Sequence, residues 1–504
     1  MSSSSQPPYE DPRDESAPPD EPRVGVDSWV ATHEGRREQA AGISGRIRDW
    51  WRRTPPAGRL LVFLIPAIIF PLVSNSGNIY RYGILTLIYA LLAYGLTIVV
   101  GFAGLLDLGY IAFFGFGAYA YGYLASQHTG HHWHAEIALP VVVVASAVLG
   151  IILGSPSLRL LGDYLAIVTL FFGQAFVIFV NNANRIDFPF FGQVDLTGGA
   201  QGLEGVDPLN FFGYKVSTNK GYFYVAVIML VVIVTMLHLV NHSRTGRAWR
   251  ALREDPLAAE VLSIPVNRLK ILAFAFGAAV AGLIGCLYSS IQTLDAPGDY
   301  SVGLLITIYA IVILGGAGSL SGVIIAALIV NGVPELLRNP SNGRYVFYVG
   351  LILVLWYFLK TWQRLLIVLG GTLVFGWVLY GISSLVWDRG TSGRPVVDPE
   401  TGSNWLSTAI SHWMLTPTDR TQIANWAFFG LVILIMIATL VRGWWQVVVL
   451  IPTVWIAAFA WENLLFTPDQ INGPTRLLLL GTVLVVLMNA RPQGLFGTRQ
   501  VEIV

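Results

Sequence analysis

Long apolar runs recur along this chain at short intervals, and nothing else in the sequence restricts its fold as severely. A run of about 20 such residues matches the thickness of a bilayer core, where no water is present to satisfy a free amide and the backbone must close its own hydrogen bonds as a helix. Runs of this kind fall near 58–74, 82–100, 109–126, 136–154, 164–181, 222–240, 270–291, 302–315, 318–337, 344–360, 365–387, 424–441, 445–465 and 475–489. The chain has 504 residues, 54% hydrophobic and only 12% charged, so a soluble core is excluded and an all-α polytopic membrane protein is expected. The glycine-rich stretches around 101–126 and 302–337 read as broken or re-entrant helices rather than full spans.

Arginine placement sets the expected orientation. Arg46, Arg48, Arg52, Arg53 and Arg59 precede the first run, and the basic loop 244–253, Lys360 with Arg364, Arg442 and Arg491 fall on the same side if the runs alternate. Positive charge marks the cytoplasmic side, so both termini are expected there. Arg185, Lys215 and Lys220 are exceptions on the other side. Residues 1–57 are rich in Ser, Pro, Asp, Glu and Arg without apolar periodicity and read as a disordered cytoplasmic tail. Deleting residues 1–45 is expected to leave membrane insertion unchanged; loss of insertion would contradict this reading. No secretory signal is recognisable, the lone Cys286 allows no intrachain disulfide, and a net charge of +1 gives no reason to expect nucleic acid.

Against this apolar background, GRAWRALREDPLAAEVLSIPVNRLKILAF at 246–274 stands out. Arg247, Arg250 and Arg253 set a basic face. Glu254, Asp255 and Pro256 read as first-turn residues of a short helix through Leu257, Ala258, Ala259, Glu260, Val261 and Leu262, stopped by Ser263, Pro265 and Asn267. Leu257, Val261 and Ile264 are spaced i, i+4, i+7, giving one apolar face suited to a groove on a partner. An amphipathic connector lying on the membrane surface would show the same pattern.

Glycines supply the next signal. GFAGLLDLGYIAFFGFGAYAYGYLAS at 101–126 and GGAGSLSG at 315–322 share G-x-A-G-x-L, pairing Gly101 with Gly315 and Gly104 with Gly318. Corresponding interruptions in two halves are what a transporter built from repeats shows, although small residues also serve close helix packing. Candidate lining of a translocation pathway is therefore Gly101, Gly104, Asp107, Gly109, Phe113, Tyr164, Thr169, Gly315, Gly316 and Gly318. Asp107 reads in two ways: an intramembrane carboxylate marking a polar path, or one at the cytoplasmic edge that reaches water or caps a half-helix. Asp163 suits an N-cap. LTGGAQGLEGV at 196–206, with Thr197, Gly198, Gly199 and Gly202, is an external loop whose backbone can come close to a ligand or partner.

Absences matter as well. None of the four lysines, Lys215, Lys220, Lys270 and Lys360, follows a glycine in a phosphate-cradling G-x-x-x-x-G-K-[ST] loop, so energy must come from a partner or an ion gradient. An ion-coupled secondary transporter would rely on intramembrane carboxylates, of which Asp107 is the candidate. In a membrane enzyme the site would be HTGHHWH, where His128 and His132 would pair on a metal only if the segment were helical; a solvated loop with His131 and His134 is the plainer reading.

The ordered set GFAGLLDLGYIAFFGFGAY, GDYLAIVTL, LTGGAQGLEGV, the 246–274 segment, ILGGAGSLSG and RPQGLFG resembles the LivM-type permease subunits of bacterial branched-chain amino acid ABC importers. The resemblance covers about 80–360 and the last thirty or so residues. It implies a permease core of about ten transmembrane helices within 58–360, some broken or re-entrant, in the bacterial cytoplasmic membrane. This subunit would be non-catalytic and bind no cofactor, with ATP and Mg held by two cytoplasmic ATPase subunits. The other implied partners are a second, LivH-type permease, an extracytoplasmic substrate-binding protein and membrane lipid. Branched-chain amino acids are the implied cargo, and relatives of the same family import urea, short-chain amides or other amino acids.

Within the resemblance, the loop 244–269 corresponds to the family's coupling segment, with Arg250, Arg253, Glu254, Leu257, Ala258, Ala259 and Glu260 at its centre. Ser263 stands where the family has glycine, a change expected to stiffen or shift the turn. Asp107 and Leu105 replace a small polar residue and Gln. Residues 361–474 intervene before the final span and the tail 475–504; together with that span they read as about four added spans, with an external segment at 388–423.

Overall fold

The computed structural model describes residues 56–157, 162–184, 186–188, 192–316, 318–336, 340–359, 361–386, 413–415, 417, 420–441, 443–461, 463, 481 and 494. Two compact units divide between Ile69 and Phe70. The described part of the first is the opening stretch of an apolar helix, Pro56–Val73. The second contains everything that follows.

There the chain runs through the span Ser76–Phe102 and then the helices Tyr110–Leu124, Ala135–Ser157, Gly162–Asn182 and Asn219–His242. Two short polar helices precede Val266–Gln292, Val302–Gly315, Leu320–Leu336, Pro340–Leu359, Trp362–Val386, Arg420–Leu440 and Trp444–Ala460. Among the described residues, seven helices are long and apolar enough to cross a membrane, and the chain is a multi-pass membrane protein. The described part of each apolar run through 445–465 coincides with a helix; 475–489, apart from residue 481, and the 1–55 tail lie outside the described residues.

The glycine-rich stretches are short helices joined by sharp turns. Tyr110–Leu124 has 15 residues, which rise about 22 Å against a hydrocarbon core of about 30 Å. The chain thus leaves the span at Phe102, turns through 103–109 and starts its next helix well inside the bundle. Gly104, Gly316 and Gly318 make these turns at φ +70°, +94° and +93°, conformations that a side chain disfavours.

Small residues bring the central helix Val266–Gln292 against its neighbours. Gly117 lies directly on the Gly282 backbone, and a Cβ on Gly285 would stand 2.6 Å from the Ala118 nitrogen. A Cβ on Gly150 would stand 2.7 Å from that of Ala278. In lipid, where the hydrophobic effect does not press helices together, such backbone-to-backbone approach supplies the dispersion contact that does. Further along, Leu355, Leu359, Leu365, Val368, Val447 and Val454 form a separate apolar cluster that joins Pro340–Leu359 to the helices after it.

One end of the bundle carries the short polar helices. The opposite end carries two-stranded ribbons: 125–126 with 131–132, 186–188 with 192–194, 203–204 with 294–295, and 210–211 with 214–215.

Candidate functional site

The basic segment forms a helix of its own, Arg244–Glu254, capped by Ser243, whose hydroxyl accepts from the Gly246 amide at 3.2 Å. Its fixed point is Trp249. The indole is fully buried, lies edge-on to Phe276 at 6.4 Å and donates from Nε1 to the Leu269 carbonyl at 3.0 Å. Gly246 rests on the Val240 carbonyl, so the helix sits hard against both spans that flank it.

A second helix, Pro256–Val261, follows at once. Asp255 caps it, accepting from the Leu257 and Ala258 amides at 2.8 and 3.2 Å. Glu254 therefore closes the preceding helix instead of opening this one, and the acid at the positive helix end is Asp255 alone. Leu257, Val261 and Leu262 are 75%, 84% and 73% exposed, whereas Ala259 is buried. Ala258 and Glu260 are also exposed. Of the expected face, Leu257 and Val261 are exposed, whereas Ile264 is half-buried and lies past the end of the helix; among the described residues nothing in this chain covers Leu257 and Val261.

Ser263 makes the turn that ends this helix. It adopts φ +60°, the conformation a glycine would take, and the Ile264 amide bonds back to the Ala259 carbonyl at 3.0 Å in a Schellman-type closure. The serine stores strain of about 1 kcal/mol. Ser263→Gly is expected to stabilise the loop by about that amount, seen as slower amide exchange at Leu262 and Ile264 with transport unchanged.

Arg253 reaches from the first helix into the glycine turns. Its Nη1 donates to the Gly101 carbonyl at 2.6 Å, its stem lies on Gly104, and a Cβ on Gly101 would stand 3.0 Å from the Gly318 nitrogen. The two G-x-A-G-x-L segments, far apart in sequence, thus abut at one arginine. Gly315 meets Gly322 at the crossing of Val302–Gly315 with Leu320–Leu336, and Gly494, the described residue of RPQGLFG, would carry a Cβ 2.6 Å from the Gly316 nitrogen.

Past Gly104 the chain enters the Asp107 turn. Asp107 is 1% exposed, and its Oδ1 accepts from the Gly109 amide at 2.9 Å as the helix Tyr110–Leu124 begins. The bond closes an Asx-type turn ahead of the helix, whose N-cap, Gly109, carries no side-chain cap bond, and the burial removes the reading in which the carboxylate reaches solvent. Oδ2 has no hydrogen-bond partner among the described residues. Tyr309 donates to the Asp107 carbonyl at 2.6 Å, and the Leu108 amide donates to the Thr169 hydroxyl at 2.9 Å. Gly109 rests on the Thr169 carbonyl, and Phe113 packs on Phe172 at 5.9 Å. Asp107, Gly109, Phe113 and Thr169 are therefore one cluster. Tyr164 is not part of it: the ring is 68% exposed.

The family whose description reads branched-chain amino acid transport system / permease component matches residues 78–356. That stretch contains both glycine turns, the Asp107 cluster and the paired polar helices. The chain belongs to this permease family. Among its relatives, the high-affinity branched-chain amino acid transport system permease protein LivM of Salmonella typhimurium is 33% identical over 320 residues, covering 59% of this chain and 72% of the relative. LivM of Escherichia coli gives the same figures. LivH of Escherichia coli is 28% identical over 267 residues, 50% of this chain and 82% of the relative. No solved structure matches the chain.

At the opposite end of the permease, the loop 196–206 uses its glycines on its own chain. Gly198, Gly199, Gly202 and Gly205 have φ of +70°, +62°, +83° and +71°. Gly202 lies on the Asp295 carbonyl, and a Cβ on Gly199 would stand 2.8 Å from Asn184 Nδ2. Thr197 donates to the Val180 carbonyl at 2.7 Å. The close backbone approach expected of this loop is thus made to its own neighbours. HTGHHWH forms a hairpin, not a helix, so His128 and His132 do not share a face. His128 faces Asp195 at 3.5 Å, His132 faces Asp207 at 2.5 Å and His134 faces Glu136 at 3.8 Å.

Asp295 holds this end together. It is fully buried, pairs through its backbone with Leu203, accepts from the Tyr300 hydroxyl at 3.0 Å and from Ser289, and takes a bond from Tyr119 on its carbonyl at 2.6 Å. Burial pushes its carboxyl up from 3.8 to about 6, against the opposing pull of the Ser289 and Tyr300 hydrogen bonds. Because the folded loop favours the neutral acid, its stability is greatest below about pH 4 and falls as pH rises to about 6, then levels. Amide exchange at Gly205 and Val206, corrected for intrinsic rate, is expected to show that slope, and Asp295→Asn to flatten it.

Sequence reasoning missed Trp249, Tyr309 and Asp295. For Trp249 a signal was available: Trp249 and Leu252, three apart, form the apolar stripe of an otherwise basic helix.

Proposed function

We propose that this permease is a membrane subunit of an ATP-driven importer of branched-chain amino acids, in the bacterial cytoplasmic membrane with both termini cytoplasmic. The names borne by its LivM and LivH relatives support the cargo and a second permease beside it. ATP and Mg would reside on two ATPase subunits, and an extracytoplasmic binding protein would deliver leucine, isoleucine or valine at the ribbon end. Nucleotide-driven movement would rock the two permeases between outward and inward openings.

The observation that carries the reading is the exposed apolar face of Pro256–Val261 on a mount that Trp249 locks to the bundle. An apolar helix face of that kind fits a groove, and a rigid mount transmits what the groove does. Affinity purification from native membranes in mild detergent tests it. ATPase subunits and a second permease should be retained; a chain that purifies alone would overturn the proposal.

A further inference from the structure

We propose that Arg253 is the positioning residue that carries movement of the Pro256–Val261 helix into the glycine-lined ends of the spans. The inference rests on the docking reading above and adds the route by which docking reaches the bundle.

Nη1 of Arg253 donates to the Gly101 carbonyl at 2.6 Å, in the last turn of the span Ser76–Phe102. Carbonyls there have no partner further along their own helix, and the negative end of the helix dipole favours a cation. The stem of the same side chain fills the space above Gly104, where a Cβ would stand 2.8 Å from its Cγ and 3.2 Å from its Cα. A Cβ on Gly318 would stand 3.8 Å from Nη1. One guanidinium thus holds the end of one span and stands beside the turn that joins Val302–Gly315 to Leu320–Leu336.

The mount of Arg253 is stiff on both sides. Trp249, one helical turn back, is fully buried, and Asp255 caps the docking helix immediately beyond Glu254. A displacement of Pro256–Val261 therefore passes through the Asp255 cap to Arg253 and from there to Gly101 and Gly104. It continues along 103–109 to the buried Asp107 turn, whose carbonyl is bound by Tyr309 from Val302–Gly315. Arginine suits this position because its guanidinium stays charged and presents several donors in a fixed plane, which lysine does not.

The test uses the full complex with its partner subunits, reconstituted in liposomes with the binding protein. ATP hydrolysis and radiolabelled leucine uptake are measured on the same vesicles. Arg253→Ala is expected to keep ATPase activity within about twofold and to lower leucine moved per ATP about tenfold or more, the effect of losing one charge-assisted hydrogen bond. Gly104→Ala retains the arginine but displaces its stem, and should uncouple in the same way; Arg253→Lys should recover only part of the ratio. A normal ratio in both Arg253→Ala and Gly104→Ala overturns the assignment, and so does a parallel fall of ATPase and uptake in assembled complexes. A wild-type complex without ATPase subunits overturns the docking reading instead, before any variant is made.

Discussion

Replacing Trp249 with alanine is expected to abolish coupled uptake while the protein still inserts. The indole is fully buried and holds the Leu269 carbonyl, so its removal opens a large cavity and orphans an acceptor. Truncating a buried tryptophan costs about 3–5 kcal/mol, enough to loosen a short helix whose largest buried side chain is this one. Trp249→Phe keeps most of the packing and loses one hydrogen bond, about 1 kcal/mol, so an intermediate rate is expected. Uptake normalised to inserted protein, with protease sensitivity of the 243–255 segment, distinguishes the two variants. Wild-type uptake in Trp249→Ala would contradict the rigid-mount account.

The second large effect lies on the exposed face of the next helix. Leu257→Glu with Val261→Glu should leave insertion and thermal stability of the permease unchanged, because both side chains are exposed in this chain. If a partner groove covers them, each lost burial costs about 1.5–3 kcal/mol, and the pair lowers affinity about a hundredfold or more. Loss of co-purifying ATPase subunits is the expected result; undiminished retention would contradict docking at this face. Ala259 is a poorer place for a charge. It is 2% exposed, and a long side chain there would break the helix itself, confusing misfolding with undocking.

Much of this architecture was legible because membrane spans announce themselves by length and composition. The start of Tyr110–Leu124 could be read from its glycines, and the Pro256–Val261 helix from Asp255 and Pro256. The junction was not legible. Nothing in G-x-A-G-x-L says that Gly101 and Gly318 touch, or that an arginine 152 positions later binds the first of them. That meeting depends on how the spans pack. The left-handed conformation of Ser263 was not legible either, because such a serine is uncommon and tolerated only where neighbouring hydrogen bonds enforce the turn. The histidine run holds the non-helical form read from its glycine: Ala125 and Ser126 pair with His132 and His131, so the helical alternative for His128 and His132 is not realised. Asp295 carries no local motif; its importance comes from Ser289, Tyr300 and Leu203, which the fold delivers to it.

The central claim, an ATP-driven importer of branched-chain amino acids, is tested most directly by leucine uptake into proteoliposomes holding the purified complex, with Mg-ATP on the side of Pro256–Val261 and binding protein on the other. Uptake that requires hydrolysable ATP and persists when ion gradients are collapsed is the expected result. Uptake by this chain alone, driven by an ion gradient and indifferent to ATP, would contradict the account.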